Sequence, residues 1–232
     1  MILVYIVLIV VPMLFGMWAQ FRVMSAYQKN VQVGTRGGIT GREAAAAVME
    51  SAGIHDVEIV EVDGMLSDHY DPSHKRLALS PQNYRGSSIA AVGIAAHEAG
   101  HAIQHKVGYA MMSVRQSMIP AVSIASPIIF IMFGFGFYLV GSVLGGLMLK
   151  LAAAALVVMV VFQLVTLPVE FDATRRAKAQ LVRLGIVDSD EMPGVHETLD
   201  AAALTYVAAF VSTLGQLLHI LLMLSGGSRR DD

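Results

Sequence analysis

The sequence contains no cysteine, which excludes a disulfide framework and any metal site built on thiolates. Charge is also scarce, since 15% of the 232 residues are charged, against roughly 25% in a typical soluble domain. The net charge is −2 and the sequence has no basic stripe, so we predict no nucleic-acid partner. A metal ion bound by this chain must therefore be held by histidine, aspartate or glutamate.

Long apolar runs take the place of the missing charge, because 55% of the residues are hydrophobic. Four runs approach or exceed the roughly 20 residues that a helix needs to cross a bilayer. The first has neither the basic start nor the small-residue cleavage site of a secretory signal, so we expect a retained anchor. The predicted spans are Ile2 to about Phe21, about Ile119 to Val140, about Val143 to Leu167 and about Leu204 to Leu224.

These spans divide the chain into five predicted segments, and they make the lipid bilayer its first predicted partner. Residues 1–21 are an anchor helix, and 22–118 are a mixed α+β segment. Residues 119–168 hold two transmembrane helices. A helical segment at 169–203 and a transmembrane helix with a short polar tail at 204–232 complete the chain.

Local signals place helices and strands inside the segment 22–118. Thr40 begins a capping box that predicts a helix start. Val57–Val62 is β-branched and roughly alternating, and Leu77–Ser80 is a second short strand joined to it by a polar stretch. Ser87 or Ser88 then caps a helix that continues to about residue 105.

Positive charge indicates which side of the membrane the polar segments face. Residues 22–118 carry nine lysines and arginines, and residues 169–203 carry four. The positive-inside rule places such segments in the cytoplasm, although it weakens for loops longer than about 60 residues. Two spans separate the segments, so both lie on the same face. We predict that this face is cytoplasmic.

The helix that ends near residue 105 contains the sequence H-E-A-G-H at residues 97–101. Four residues turn an α-helix through about 400°, so His97 and His101 project from one face, where both imidazoles reach one Zn²⁺. Glu98 lies about 100° around the helix, where it serves as general base toward an attacking water. Gly100 sits between the histidines, where a close neighbour needs a small side chain.

A catalytic zinc needs a third protein ligand and an open position. His105 is four residues beyond His101, but on a straight helix it lies nearly two turns further from His97, so we predict an outer or solvent-facing role for it. Glu170 is the better candidate, because it follows Pro168 where the third span ends, on the same side of the membrane as the histidines.

Two further residues are candidates for roles around the metal. Asp172 either orients a histidine N–H from behind the ligands or replaces Glu170 as the ligand itself. The sequence Glu-Phe-Asp-Ala at 170–173 is predicted to open a new helix. Arg115 precedes the second span, where it either pairs with a site carboxylate or anchors at lipid phosphate.

Three stretches of this sequence resemble the YugP-type neutral zinc metallopeptidases of bacterial membranes. They are SIAAVGIAAHEAGHAIQH at Ser88–His105, GMLSDHY at Gly64–Tyr70 and LPVEFDATRRA at Leu167–Ala177. The resemblance covers nearly the whole chain, and it implies a gluzincin-like zincin site with one Zn²⁺ per chain. In that site the metal ligands are His97, His101 and Glu170, and the general base is Glu98.

A wider resemblance is to the HtpX-type membrane peptidases. In those enzymes the third-ligand glutamate is followed four residues later by an aspartate. This chain has Thr174 at that place and Asp172 two residues earlier. The resemblance to HtpX-type peptidases therefore supports the role of Asp172 behind the ligands less directly than it supports Glu170 as a ligand.

Taken together, the sequence predicts a mainly α membrane protein with about four transmembrane helices and a small α+β catalytic unit with a short β-hairpin. We predict a zinc metalloendopeptidase of the bacterial plasma (inner) membrane, which hydrolyses proteins or peptides on the cytoplasmic side. The sequence leaves open whether it acts alone, with a membrane-protein partner or as a homo-oligomer.

Two other classes of protein were weighed against this prediction. The alternative is a catalytically inactive zinc-binding scaffold or partner subunit, but an idle site has no use for Glu98, a base that does not bind the metal. A channel or transporter is disfavoured because the spans contain almost no ionisable residues to form a pathway. Those residues are Lys150 and His219.

Overall fold

The computed structural model describes residues 2–139 and 142–227; Val140 and the predicted polar tail at 228–232 lie outside these ranges. The protein is 75% helical, which confirms the predicted mainly α membrane class. Its elements are α1 (Ile2–Tyr5), a π-helical turn (Ile6–Val10), α2 (Val11–Asn30), α3 (Gly41–Ser51), β1 (Glu58–Glu61), β2 (His69–Asp71), β3 (Arg76–Leu79), α4 (Pro81–Arg85), α5 (Ile89–Lys106), α6 (Ala110–Tyr138), α7 (Val143–Arg183) and α8 (Met192–Gly227).

Four helical stretches in the described ranges are long and apolar enough to cross a membrane, as predicted. They are longer than the predicted spans, because helix continues past the apolar run into polar sequence. The stretches are Ile2–Asn30, Ala110–Gly136, Val143–Arg183 and Met192–Ser225.

The prediction that a new helix opens at Glu170 is wrong, because α7 runs unbroken through Pro168 to Arg183. A proline inside a helix removes one backbone hydrogen bond. Helices of membrane proteins tolerate this loss when the surrounding turns remain intact. The third span and the polar stretch after it therefore form one continuous helix.

The chain divides into two compact units. One comprises the described residues of Met1–Ala19, Val114–Leu167 and Tyr206–Asp232. The other comprises Gln20–Ser113 and Pro168–Thr205, and it contains every residue of the candidate metal centre described below. We refer to this second unit as the polar unit.

Helix α5 runs through the core of the polar unit, where 14 of its 18 residues are buried. Most of its alanines belong to one buried cluster with residues of α3, β3, α7 and α8. Such small side chains let neighbouring helices approach closely. The buried cluster includes Val48, Leu77, Val92, Ala95, Ala99, Leu181, Val195 and Leu199.

The three-stranded sheet has the order β1-β3-β2. The two predicted strands do pair, but in parallel, with Ile59 opposite Leu77. Strand β2 lies within the predicted polar connection and pairs antiparallel with β3, placing Tyr70 opposite Leu77. The two predicted strands therefore do not form a hairpin with each other, and the short hairpin in the sheet is β2–β3. At three residues, β2 is too short to show an alternating pattern.

The predicted helix starts are confirmed by their caps. Thr40 forms a capping box with Glu43, in which each side chain binds the other residue's backbone N–H. Ser88 caps α5, since its Oγ accepts a hydrogen bond from the backbone N–H of Ala91 at 3.2 Å. The cap sets the first residue of α5, the helix that carries His97 and His101.

Candidate metal centre

Helix α5 places the imidazoles of His97 and His101 side by side, as the four-residue spacing predicts. Their ring centroids are 4.8 Å apart, and the ring planes are nearly perpendicular at 84°. The two side chains are 15% and 7% exposed, so both rings are largely shielded from solvent. Two imidazoles held in this way present paired nitrogen donors to a single ion.

Helix α7 brings the carboxylate of Glu170 to these imidazoles. Its Oε2 lies 3.2 Å from Nε2 of His97 and 3.4 Å from Nε2 of His101. The Glu170 side chain is only 2% exposed. A buried carboxylate facing two imidazoles is the arrangement expected of a ligand set that shares one ion.

Gly100 explains how the two helices come close enough. A Cβ atom at this position would lie 2.7 Å from the backbone oxygen of Ala173 on α7. Real Cβ atoms essentially never make so short a contact, so the position requires glycine. The close neighbour expected from the sequence at Gly100 is therefore α7, the helix that carries Glu170.

The donor atoms of the three residues fit a catalytic zinc site. All lie within 4.8 Å of one another, and within residues 2–139 and 142–227 this is the only such group of three histidine or acidic residues. Two histidines and one glutamate are a known ligand set for catalytic zinc, which keeps a fourth position open. With no cysteine in the chain, the site has no competing thiolate chemistry. The three residues that could hold the ion are His97, His101 and Glu170.

Glu98 is buried beside the ligands, with 8% of its surface exposed. Burial raises the pKa of its carboxyl above the usual glutamate value, since a charged group loses hydration there. His97 and His101 oppose the shift, whereas Glu170 and Asp68 add to it. A carboxylate whose pKa is raised holds a transferred proton more readily, as a general base requires.

The imidazole of His101 is under two opposing influences. Burial alone lowers the pKa of a histidine, because it disfavours the charged ring. The hydrogen bond and negative charge of Glu170 outweigh burial and raise the pKa of His101 overall. The negative charge of Glu170 therefore favours positive charge at this position.

Thr174 engages the second nitrogen of His97, a contact that the sequence analysis did not assign. Its Oγ1 lies 3.1 Å from Nδ1 of His97. Thr174 stands one helical turn after Glu170, so both side chains project from the same face of α7. The position of Thr174 four residues after Glu170, where HtpX-type peptidases have an aspartate, is the feature of the sequence that could have predicted this contact.

Gln104 engages the second nitrogen of His101, and it too was missed. Its Oε1 lies 3.0 Å from Nδ1 of His101. Its Nε2 donates to the backbone oxygen of Val169 at 2.7 Å and to Oδ2 of Asp172 at 2.9 Å. A glutamine three residues after a histidine faces the same side of a helix, but the sequence alone did not single it out.

The structure places Asp172 behind Gln104, where it takes hydrogen bonds from Gln104 and from two arginines. Asp172 is 4% exposed and accepts from Arg175 and from Arg176. Its described contacts with the site thus run through Gln104 rather than directly to an imidazole ring. The outer role predicted for Asp172 stays a prediction.

The other two predicted outer residues are not in the three-residue group. His105 faces Tyr70, whose hydroxyl lies 2.8 Å from its Nδ1, and it is exposed at the end of α5. Arg115 belongs to α6, in the compact unit that does not contain the metal ligands. The roles predicted for both residues stay predictions.

Comparison with known proteins agrees with this geometry. A family model described as "Putative neutral zinc metallopeptidase" matches residues 5–225. The chain is 40% identical over 226 residues to a protein of Bacillus subtilis (strain 168) described as "Putative membrane protease YugP", and the match covers 97% of this chain and 98% of that protein. No solved structure matches the chain. The resemblance predicted from the three motifs is thus confirmed, and the chain belongs to this family of neutral zinc metallopeptidases.

Proposed function

We propose that this membrane protein is a zinc endopeptidase that hydrolyses peptide bonds in proteins or peptides. The observation that carries the proposal is the convergence of His97, His101 and Glu170 beside the buried carboxylate of Glu98. A structural zinc needs only ligands, and catalysis needs a base as well. The proposed site supplies both from two adjacent helices.

In this proposal the ligand residues would hold one Zn²⁺ per chain, and the residues behind them would fix their orientation. When bound, zinc polarises the peptide carbonyl and makes water a stronger acid. The Nε2 atoms of His97 and His101 face the carboxylate of Glu170, while their Nδ1 atoms are engaged by Thr174 and Gln104. Both rings therefore turn the same nitrogen toward the centre.

Glu98 performs the proton transfers. It accepts a proton from the attacking water and then donates that proton to the amine of the departing product. Its side chain neighbours both histidines but is not one of the three convergent ligands. Its raised pKa, which results mainly from burial, suits both halves of this cycle.

We further propose that the site faces the cytoplasm. The two segments rich in lysine and arginine, 22–118 and 169–203, supply most of the polar unit, Gln20–Ser113 and Pro168–Thr205. The positive-inside rule applies best to the short segment 169–203, which it retains on the cytoplasmic side. The pairing of two sequence-distant segments in one unit supports their location on the same side of the membrane.

The metal content of purified protein tests the ligand set. We expect about one zinc per chain in the wild type, and its loss in His97→Ala and in His101→Ala, because each change removes one donor of three. Metal analysis after gel filtration measures this. His74→Ala is the matched control, since His74 is 71% exposed and is not in the group. Full occupancy in either ligand variant would refute the site.

The proposed orientation is testable by thiol labelling, because the chain has no native cysteine. Single cysteines replacing Lys75 and Arg183 should both be protected in intact cells from a membrane-impermeant maleimide and react after lysis. A cysteine at Ser142, between α6 and α7, should react from outside. Opposite accessibility at Lys75 and Arg183 would separate the histidines from Glu170 and contradict the proposed site.

A further inference from the structure

Gln104 is the most deeply buried polar side chain around the metal centre, with no exposed surface. It sits on α5, one turn beyond His101, and faces α7. All three of its described side-chain hydrogen bonds are within 3.0 Å: one to His101, one to the backbone of Val169 and one to Asp172. It is therefore hydrogen-bonded both to a proposed ligand and to the helix that carries another.

The partners of Gln104 determine how its amide is oriented. The Val169 carbonyl and the Asp172 carboxylate only accept hydrogen bonds, so they must face the NH₂ group of the amide. The amide oxygen is then left facing Nδ1 of His101. Because that oxygen also only accepts, Nδ1 of His101 must carry a proton, and Nε2 is left free to bind a metal.

The Asp172 carboxylate that accepts a hydrogen bond from Gln104 is itself held in place by two arginines. Oδ2 of Asp172, which accepts from Gln104 at 2.9 Å, also accepts from Nε of Arg176 at 2.5 Å. Arg175 contacts the other oxygen of the same carboxylate. A carboxylate with both oxygens occupied cannot easily rotate, so the amide of Gln104 has one preferred orientation.

We propose that Gln104 is a positioning residue that fixes His101 in the tautomer required for metal binding and aligns it with α7. This rests on the proposed zinc-dependent function. Val169 and Asp172 flank Glu170 in the sequence, so the two hydrogen bonds of the Gln104 NH₂ group set the position of α7 next to His101. The Gln104 side chain thus orients His101 and also holds α7, which carries Glu170, in position beside it.

Two substitutions separate this role from simple packing. Gln104→Glu keeps an oxygen facing the Nδ1–H of His101, whereas Gln104→Met fills similar space without any acceptor. We expect Gln104→Met to lower zinc affinity by about 10–100-fold, the usual cost of removing a group that orients a ligand. Gln104→Glu should lose less zinc affinity than Gln104→Met, because it keeps the acceptor for His101 although it loses both hydrogen bonds to α7. Zinc affinity is measured by competition with a chromophoric chelator in detergent solution.

If Gln104 only packed between the helices, the order would reverse. A second carboxylate buried beside Asp172 would be costly, and the methionine would be tolerated. Wild-type affinity in Gln104→Met, or an equal loss in both variants, would therefore overturn the proposal. Gln163→Met is the matched control, because Gln163 donates a part-buried amide hydrogen bond to Thr213 outside the polar unit. It should leave zinc affinity unchanged.

The assay also keeps this inference distinct from the proposed peptidase activity. Zinc affinity is measured without a substrate, so a chain that binds zinc but hydrolyses nothing would refute the proposed function and still rank the variants at Gln104. Thermal unfolding of the metal-free proteins shows whether a variant is folded. A folded Gln104→Met protein that loses more zinc affinity than a folded Gln104→Glu protein is the result that supports the positioning role.

Discussion

We expect Glu98→Gln to keep its zinc and to lose peptide hydrolysis. The amide cannot accept a proton from the attacking water, and removal of a general base typically lowers the rate by about 10²- to 10⁴-fold. Zinc content should not change, since Glu98 is not one of the three convergent ligands. The measurement pairs metal analysis with hydrolysis of a protein substrate that the wild type cleaves.

Glu50→Gln is a suitable control for this experiment. Glu50 is exposed near the end of α3, so the same chemical change there should leave both zinc and activity intact. Equal activity in wild type and Glu98→Gln would show that Glu98 is not the base. It would also remove the main argument against an inactive zinc-binding scaffold, because the scaffold alternative needs no base.

The second large effect concerns the third ligand. Glu170→Ala should weaken zinc binding by orders of magnitude, because it removes a charged donor from the centre of the group. Asp172→Ala should cost only about 10–100-fold, since its described contacts reach the site through Gln104. Both values come from the same chelator competition, and the ratio between them is the informative quantity.

Other outcomes of that comparison are equally specific. Loss of zinc in Asp172→Ala with retention in Glu170→Ala would reverse the two assignments. Loss in neither variant, together with loss in His105→Ala, would require α5 to bend after His101. In the structure α5 is a single α-helix from Ile89 to Lys106, past His105.

The parts of the site that the sequence predicted are those with strong local causes. The pairing of His97 with His101 follows from the helical repeat, and the start of α5 follows from the cap at Ser88. Glu170 was found from its place at the end of an apolar run and from resemblance. Each of these depends on neighbours within a few residues, or on a motif that the chain shares with a family.

The parts that the sequence did not predict depend on contacts between distant segments. The contact of Thr174 with His97 spans 77 residues, and that of Gln104 with Asp172 spans 68. Neither threonine nor glutamine is typical of a metal site, so composition gave no signal. The unbroken course of α7 through Pro168 was also missed, because a proline in sequence more often marks a boundary than a helix interior.

The division of the ligands between α5 and α7 has a consequence for biosynthesis. Glu170 lies 73 residues after His97, and helix α6 with most of the apolar part of α7 lies between them. At about 5–20 residues per second, the ribosome needs roughly 4–15 s to make that stretch. A nascent chain therefore carries its base and two imidazoles while the third donor does not yet exist. In the proposed zinc site the third donor is added last, so hydrolysis there could begin only after α6 and the part of α7 up to Glu170 have been synthesised.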